Sequence, residues 1–246
     1  MKRILLAFTL VAFAADARAD ETTDNLKKAI EAHGGEAALK KAKAGEFSMS
    51  GDMNVLGASL KYKAEVAYML PDKYSMIIDT ELMGMKLVIG QVVNGDKVKT
   101  SHNGASLKIG DAEKAELKAA LTTQEMTFIY PLLDAKRFTV KTEKDAKVGE
   151  DPVWVIAVTP KDGKEVKLYF DIKTNLLVKM TRKGMPPGGG GEVDEASVFS
   201  DYKKVDGIQT PMTLKVTHDG EKFISGKVTE AKYSEKIDEK KFNTAD

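Results

Sequence analysis

Apolar and polar residues alternate along most of this chain, and the alternation gives way to a helical period in two places. Over 59–70, Leu60, Tyr62, Ala64, Val66 and Tyr68 share one face, opposite Lys61, Lys63 and Glu65. A period of two predicts a half-buried strand. The same rule puts Phe47, Met49, Met53 and Val55 on one face, and Met212, Leu214 and Val216 on another. Leu168, Phe170 and Ile172 alternate with Tyr169, Asp171 and Lys173, then Lys-Thr-Asn at 173–175 supplies a turn, after which Leu176, Val178 and Met180 resume the alternation. Asn94-Gly95, Asn103-Gly104, Asp162-Gly163, Asp206-Gly207 and Asp219-Gly220 supply further turns, because these residues accept left-handed backbone angles cheaply.

The helical stretches are 22–44 and 111–133. In the first, Leu26 and Ile30 fall on one face, and Gly34-Gly35 predicts a stop followed by a second short helix. In the second, Asp111 is a good N-cap, Leu117 and Leu121 lie four apart, and Met126, Phe128, Ile129 and Tyr130 form a bulky apolar patch before Pro131. The order is therefore a helix pair, four or five strands, a helical insertion and about six more strands. Hairpin spacing throughout points to α+β, mainly β: one strongly curved antiparallel sheet with helices on one side. Alternation assigns each residue to a face without saying which face points inward.

The N-terminal segment changes the picture of where the protein works. Lys2 and Arg3 precede an apolar run from 4 to about 15, and Ala17-Arg18-Ala19 follows as a small-x-small site. This predicts a signal peptide over 1–19, cleaved after Ala19, and an exported, periplasmic protein whose single domain spans 20–246. The run is too short to span a bilayer comfortably. There is no cysteine, so neither disulfides nor lipid modification of an N-terminal cysteine is available.

Composition excludes some functions. Lys+Arg 38 against Asp+Glu 37 leaves +1, and aromatic residues make up 7%, so the clustered positive charge and stacking platforms that nucleic acid requires are absent. The Pro/Gly segment 185–195 predicts a flexible loop within the domain, and it lacks the strand, helix and Lys-Ser/Thr that make a phosphate loop. His33, His102 and His218 stand far apart, none at metal-ligand spacing. No G-x-S-x-G elbow and no cysteine nucleophile occurs. The reading is a non-enzyme without cofactor or metal, although carboxylates that meet only in the fold are invisible at this level.

Two stretches resemble a known family. Phe-Asp-Ile-Lys-Thr-Asn-Leu-Leu at 170–177 is similar to its strand-turn-strand element, and Asp-Tyr-Lys-Lys-Val-Asp-Gly-Ile-Gln-Thr-Pro at 201–211 to a second element. These are features of the outer-membrane lipoprotein-sorting family, the LolA/LolB-like proteins. The stretch over 32–53, with its Gly-Gly helix before the first long strand, resembles a divergent secreted branch. The resemblance implies an unclosed half-barrel with a helical lid, whose concave apolar face holds acyl chains. It implies lipid or lipoprotein acyl chains as ligand, membrane-associated donor and acceptor proteins as further partners, and a monomer. No individual ligand-binding residue carries over.

Methionine occurs 11 times, and its flexible, polarizable side chain suits surfaces that accept variable apolar shapes. The candidates for the cavity or lid are accordingly Met49, Met53, Tyr62, Val66, Met83, Met85, Leu117, Leu121, Met126, Phe128, Leu168, Phe170, Met212 and Leu214. For each, ordinary core packing is the competing reading. The segment 80–90 is read equally as a pocket-edge strand and as an apolar hairpin arm. Two other functions stay open: an envelope sensor that binds a protein on the same fold, and an enzyme with an unrecognised site.

Overall fold

The computed structural model describes residues 10–55, 57–186 and 189–244, with side chains from residue 21 onward. The predicted leader lies partly outside the described residues, and its side chains lie entirely outside them. Helix α1 (Leu10–Ala32) runs through the expected cleavage point at Ala19, and α2 (Glu36–Lys41) follows the Gly34-Gly35 break.

Six strands come next: β1 (Ala44–Val55), β2 (Ala58–Met69), β3 (Lys73–Leu82), β4 (Met85–Asn94), β5 (Lys97–His102) and β6 (Ala105–Leu107). Helix α3 (Asp111–Met126) and a 3-10 turn (Tyr130–Leu133) interrupt the strands. The second set is β7 (Phe138–Thr142), β8 (Ala146–Val148), β9 (Asp151–Pro160), β10 (Val166–Asp171) and β11 (Leu177–Gly184). It closes with β12 (Val193–Val205), β13 (Ile208–His218), β14 (Glu221–Ser234) and a last 3-10 turn (Glu239–Phe242).

All 14 strands form one antiparallel sheet in the order β6-β5-β4-β3-β2-β1-β14-β13-β12-β11-β10-β9-β7, with β8 on β9. Neighbours in sequence are neighbours in space from β1 to β6 and from β8 to β14, while β1 also pairs with β14 and β7 pairs with β9. The ring stays open between β6 and β7, and α3 crosses over there. The sheet is an unclosed half-barrel.

The turn residues behave as their chemistry requires. Asn103-Gly104, Asp206-Gly207 and Asp219-Gly220 all have both φ angles positive, the signature of tight two-residue hairpins. In the 173–175 turn, Asp171 Oδ1 accepts from the backbone N–H of Lys173 and Thr174, and Asn175 takes φ 56. Trp154 donates from its indole to Asn175 at 3.2 Å and stacks on Phe170 with centroids 4.1 Å apart.

Here the strand pattern departs from simple alternation. Ile172 sits in the turn, 48% exposed, and a register shift at Tyr169/Phe170 brings Leu177 opposite Phe170. Leu177 and Met180 are therefore the buried apolar side chains of β11, in place of the even series 176, 178, 180. A bulge changes which side of the strand a residue takes, and no alternation rule carries across it.

The ladder registers settle which residues share the inner face. One row reads Thr142, Ile156, Leu168, Met180, Ser197, Val216, Ile224, Met53 and Leu60, each paired with the next across nine strands. A second row reads Phe199, Leu214, Gly226, Gly51, Tyr62, Thr80 and Leu87. Helices α1 and α2 and the Tyr130–Leu133 turn fill this face against β7 and β9–β11, burying Leu26, Ile30, Leu39, Ile129, Ile156 and Leu168. A smaller cluster of Met53, Tyr62 and Ala64 lies farther along the same face.

Candidate functional site

Helix α3 stands apart from the other helices in what it presents to the sheet. Its C-terminal end is apolar and buried at Leu121 and Met126. Over the preceding turns it turns Ala112, Ala115 and Ala119 toward a cleft of about 660 Å³. Small side chains at this spacing leave room where a core helix would place Leu or Phe. The cleft's apolar floor includes Phe138, Pro160, Val166 and Met126, and its far wall is the β9–β10 hairpin. The volume falls within the roughly 300–1,000 Å³ typical of small-molecule sites.

Charges, more than apolar packing, hold the exposed length of α3 in place. Lys118 pairs with Asp96 of the β4–β5 turn at 2.8 Å. Glu125, 6% exposed, takes both nitrogens of Arg137 at 2.8 and 2.6 Å. That bidentate hydrogen bond raises the Arg137 pKa further above its usual value. Deeper in, Arg182 of β11 faces Glu116 of α3 at 2.7 Å and Glu195 of β12 at 2.8 Å. Burial works against the Arg182 cation, and the two carboxylates outweigh it, so the group stays firmly charged. The contact to Glu116 is a charge contact without a well-aligned hydrogen bond, since Glu116 Oε1 is buried with no directed donor.

This polar group ends an otherwise apolar row. Val140, Val158 and Val166 lead across the sheet to Arg182, Glu195 and His218. His218 lies 3.2 Å from Glu195 and stacks on Phe223 at 4.1 Å between centroids.

The chain between α3 and the 3-10 turn is strained. Ile129 has φ 63 and ψ −47, and the Tyr130 N–H donates across it to the Phe128 carbonyl at 2.6 Å. This is a γ-turn of the rare positive-φ kind, here on a fully buried β-branched residue. Its neighbour Phe128 is driven into an aromatic group with Tyr68 and Tyr233, at 5.6 and 6.3 Å between centroids.

The candidate residues divide three ways. Met49, Met53, Tyr62, Val66, Leu168, Phe170 and Leu214 lie on the shared inner face. Met212 is half-buried two residues along β13 from Leu214, and Leu117 is half-buried on α3. Leu121, Met126 and Phe128 anchor the end of α3, and of the 14 only Met126 lines the cleft. Met83 and Met85 are elsewhere: they sit at the β3–β4 hairpin tip, 91% and 67% exposed, with Met83-Gly84 forming the turn itself. The alanines of α3, Arg182 and the lysines around the cleft escaped the reading by apolar pattern, because none is large and apolar. Among the described residues no cluster of three or more His, Asp or Glu is placed to hold a metal.

An open antiparallel half-barrel crossed by a helix, with a cleft beneath that helix, defines a fold that the chain shares with LolA-like proteins. A LolA superfamily protein of Nitrosomonas europaea superposes with TM-score 0.58 over 91% of this chain and 97% of its own, at 10% identity. An outer membrane lipoprotein-sorting protein domain of Vibrio parahaemolyticus gives 0.56 over 90% and 97%, at 12% identity. The likeness is one of fold. No family model matches the sequence, and no curated protein matches it.

Proposed function

We propose that the protein is an exported carrier that binds the acyl chains of a lipid or lipoprotein in the cleft under α3. One observation carries this reading: a 660 Å³ cleft, floored by apolar side chains, beneath a helix that presents alanines to it. Apolar surface removed from water contributes roughly 25 cal/mol per Å², so a single acyl chain laid along such a floor gains several kcal/mol. The lipoprotein-sorting neighbour supports a carrier role at the level of fold. Helix α3 acts as the lid. Its ionic contact to Asp96 is exposed and exchanges with water more readily than a packed apolar seam, which suits a lid that opens at a donor and an acceptor.

Native mass spectrometry of the mature protein, purified gently from its own compartment and followed by organic extraction, tests the proposal. A discrete added mass that extracts as a lipid supports it and names the cargo class. A clean apo mass with no uptake of acyl-chain probes overturns it. That second outcome favours the sensor reading, for which the exposed Met83 and Met85 of the β3–β4 hairpin are the observation.

A further inference from the structure

The cleft carries a pattern of charge that its apolar floor does not require. Its mouth is ringed by Lys118, Lys136, Arg137, Lys161, Lys164 and Lys183, against the carboxylates of Asp162 and Glu165. Four of the six cations have partners: Lys118 with Asp96, Arg137 with Glu125, Lys164 with Glu192 and Lys183 with Asp194. Those four carboxylates do not line the cleft. Lys136 and Lys161 are exposed and have no side-chain partner among the described residues. They stand on adjoining elements, since the Lys161 N–H donates to the Arg137 carbonyl at 2.9 Å.

The interior has the opposite character. Arg182, the cation inside the cleft, is already neutralised by Glu116 and Glu195. A negative group entering that far meets two carboxylates. A negative group halted at the mouth meets six cations, two of them unpaired lysines and others in exposed pairs that exchange at little cost, against the two carboxylates of Asp162 and Glu165. Polarity thus fixes an orientation, with the apolar end inward on Phe138 and Val166 and the charged end outward.

We infer that the cleft selects an anionic amphiphile, an acyl chain whose head carries a carboxylate or phosphate held by Lys136 and Lys161. This rests on the acyl-chain reading above and adds the sign and position of the head group. An anion at the mouth gains charge-assisted hydrogen bonds that a neutral or cationic head of equal chain length lacks.

The test uses the mature protein and three probes of one chain length: palmitate, hexadecanol and hexadecyltrimethylammonium, with affinities read by displacement of a fluorescent acyl probe. Palmitate should bind about tenfold more tightly than hexadecanol at low salt, two exposed charge contacts at their usual strength giving that ratio. The variant K136S/K161S, which removes no described ion pair, should abolish the preference and leave hexadecanol binding unchanged. Equal binding of all three probes, or a preference that survives in the variant, overturns the inference while leaving the acyl-chain reading standing. Failure to bind any of the three overturns both. Phosphatidylglycerol vesicles offered in place of palmitate separate a phosphate head from a carboxylate head, and a preference for either over hexadecanol supports the inference. Inorganic phosphate is the control: if it alone displaces bound palmitate, the site is one for free anions and the inference fails.

Discussion

Arg182 on the inner face of the sheet lies 2.7 Å from Glu116 of α3, joining the crossover helix to a strand far from it in the chain. Arg182 also serves Glu195, so its loss strands two largely buried carboxylates at once. Arg182→Met is expected to destabilise the protein by on the order of 3 kcal/mol, the usual cost of unpairing buried charge. Glu116→Gln removes one carboxylate and leaves the Arg182–Glu195 pair intact, so it should cost less and loosen α3 selectively. Urea denaturation measures the first effect. Hydrogen exchange measures the second, as faster exchange over 111–126 with the strands unchanged. Uniform loosening of the sheet in Glu116→Gln would show that the contact is not specific to the lid.

The γ-turn at Ile129 makes an unusual prediction about small residues. Truncating a buried Ile ordinarily costs about 2–5 kcal/mol, and Gly is ordinarily worse than Ala by about 0.5–1 kcal/mol. At φ 63 the order should reverse, because Gly accepts this backbone angle and Ala does not. Ile129→Gly is therefore expected to be more stable than Ile129→Ala by about 1 kcal/mol. Thermal or urea unfolding of the pair decides it, and the ordinary order would mean that the turn carries no strain.

His33 links acid stability to the docking of α1. Its Nδ1 donates to the Ala29 carbonyl at 2.8 Å, and its Nε2 accepts from the Leu177 N–H at 3.3 Å. The ring must be neutral for the second bond. Burial lowers its pKa from 6.5 to about 4, with the Ala29 hydrogen bond pulling partly the other way. The unfolded chain thus binds more protons between these values. The stabilisation is fully present above pH 6.5 and is lost as pH falls toward 4, by on the order of 3 kcal/mol. Urea midpoints of the native protein and of His33→Gln, compared between pH 7 and pH 4, check this. The glutamine variant should lose less over that range, and parallel curves would rule out His33 as the source.

Gly34 is expected to tolerate nothing larger. A Cβ there would lie 2.4 Å from the carbonyl oxygen of Gly207, and φ is +128. The contact is backbone on backbone, where α1 ends against the β12–β13 turn and the Gln209 N–H donates to the His33 carbonyl at 2.9 Å. Gly34→Ala should cost about 2 kcal/mol or more through clash and strain together. Gly57→Ala is the control, since φ is +80 there and no atom lies within 4 Å of its Cβ position. A similar cost in both variants would leave only the φ strain.

Much of the fold was legible because its signals are local. Asp206-Gly207 and Asp219-Gly220 specify tight turns from their own backbone preferences, wherever the strands finally lie. Leu60 to Tyr68 declare a strand by alternation, and Gly34-Gly35 separate two helices as their composition requires. Met83-Gly84 gave no turn signal because methionine seldom takes φ 54, so 80–90 read equally as a pocket-edge strand and as an apolar hairpin arm.

The tertiary structure alone decided the rest. That β1 pairs with β14, bending the sheet into a half-barrel, depends on accumulated twist over all the strands and on no short motif. Only that closure makes one side concave and sends Met53, Leu168 and Leu214 to the same face. The cleft follows from the same cause. Ala112, Ala115 and Ala119 look unremarkable in sequence, and Lys136 and Lys161 look like ordinary solvated lysines. They come to line one cleft when α3 is laid across the gap between β6 and β7. The sequence by itself determined the strands, the turns and the helices, since backbone preference and side-chain periodicity act over a few residues. Which surfaces those elements enclose was decided by contacts between residues far apart in the chain.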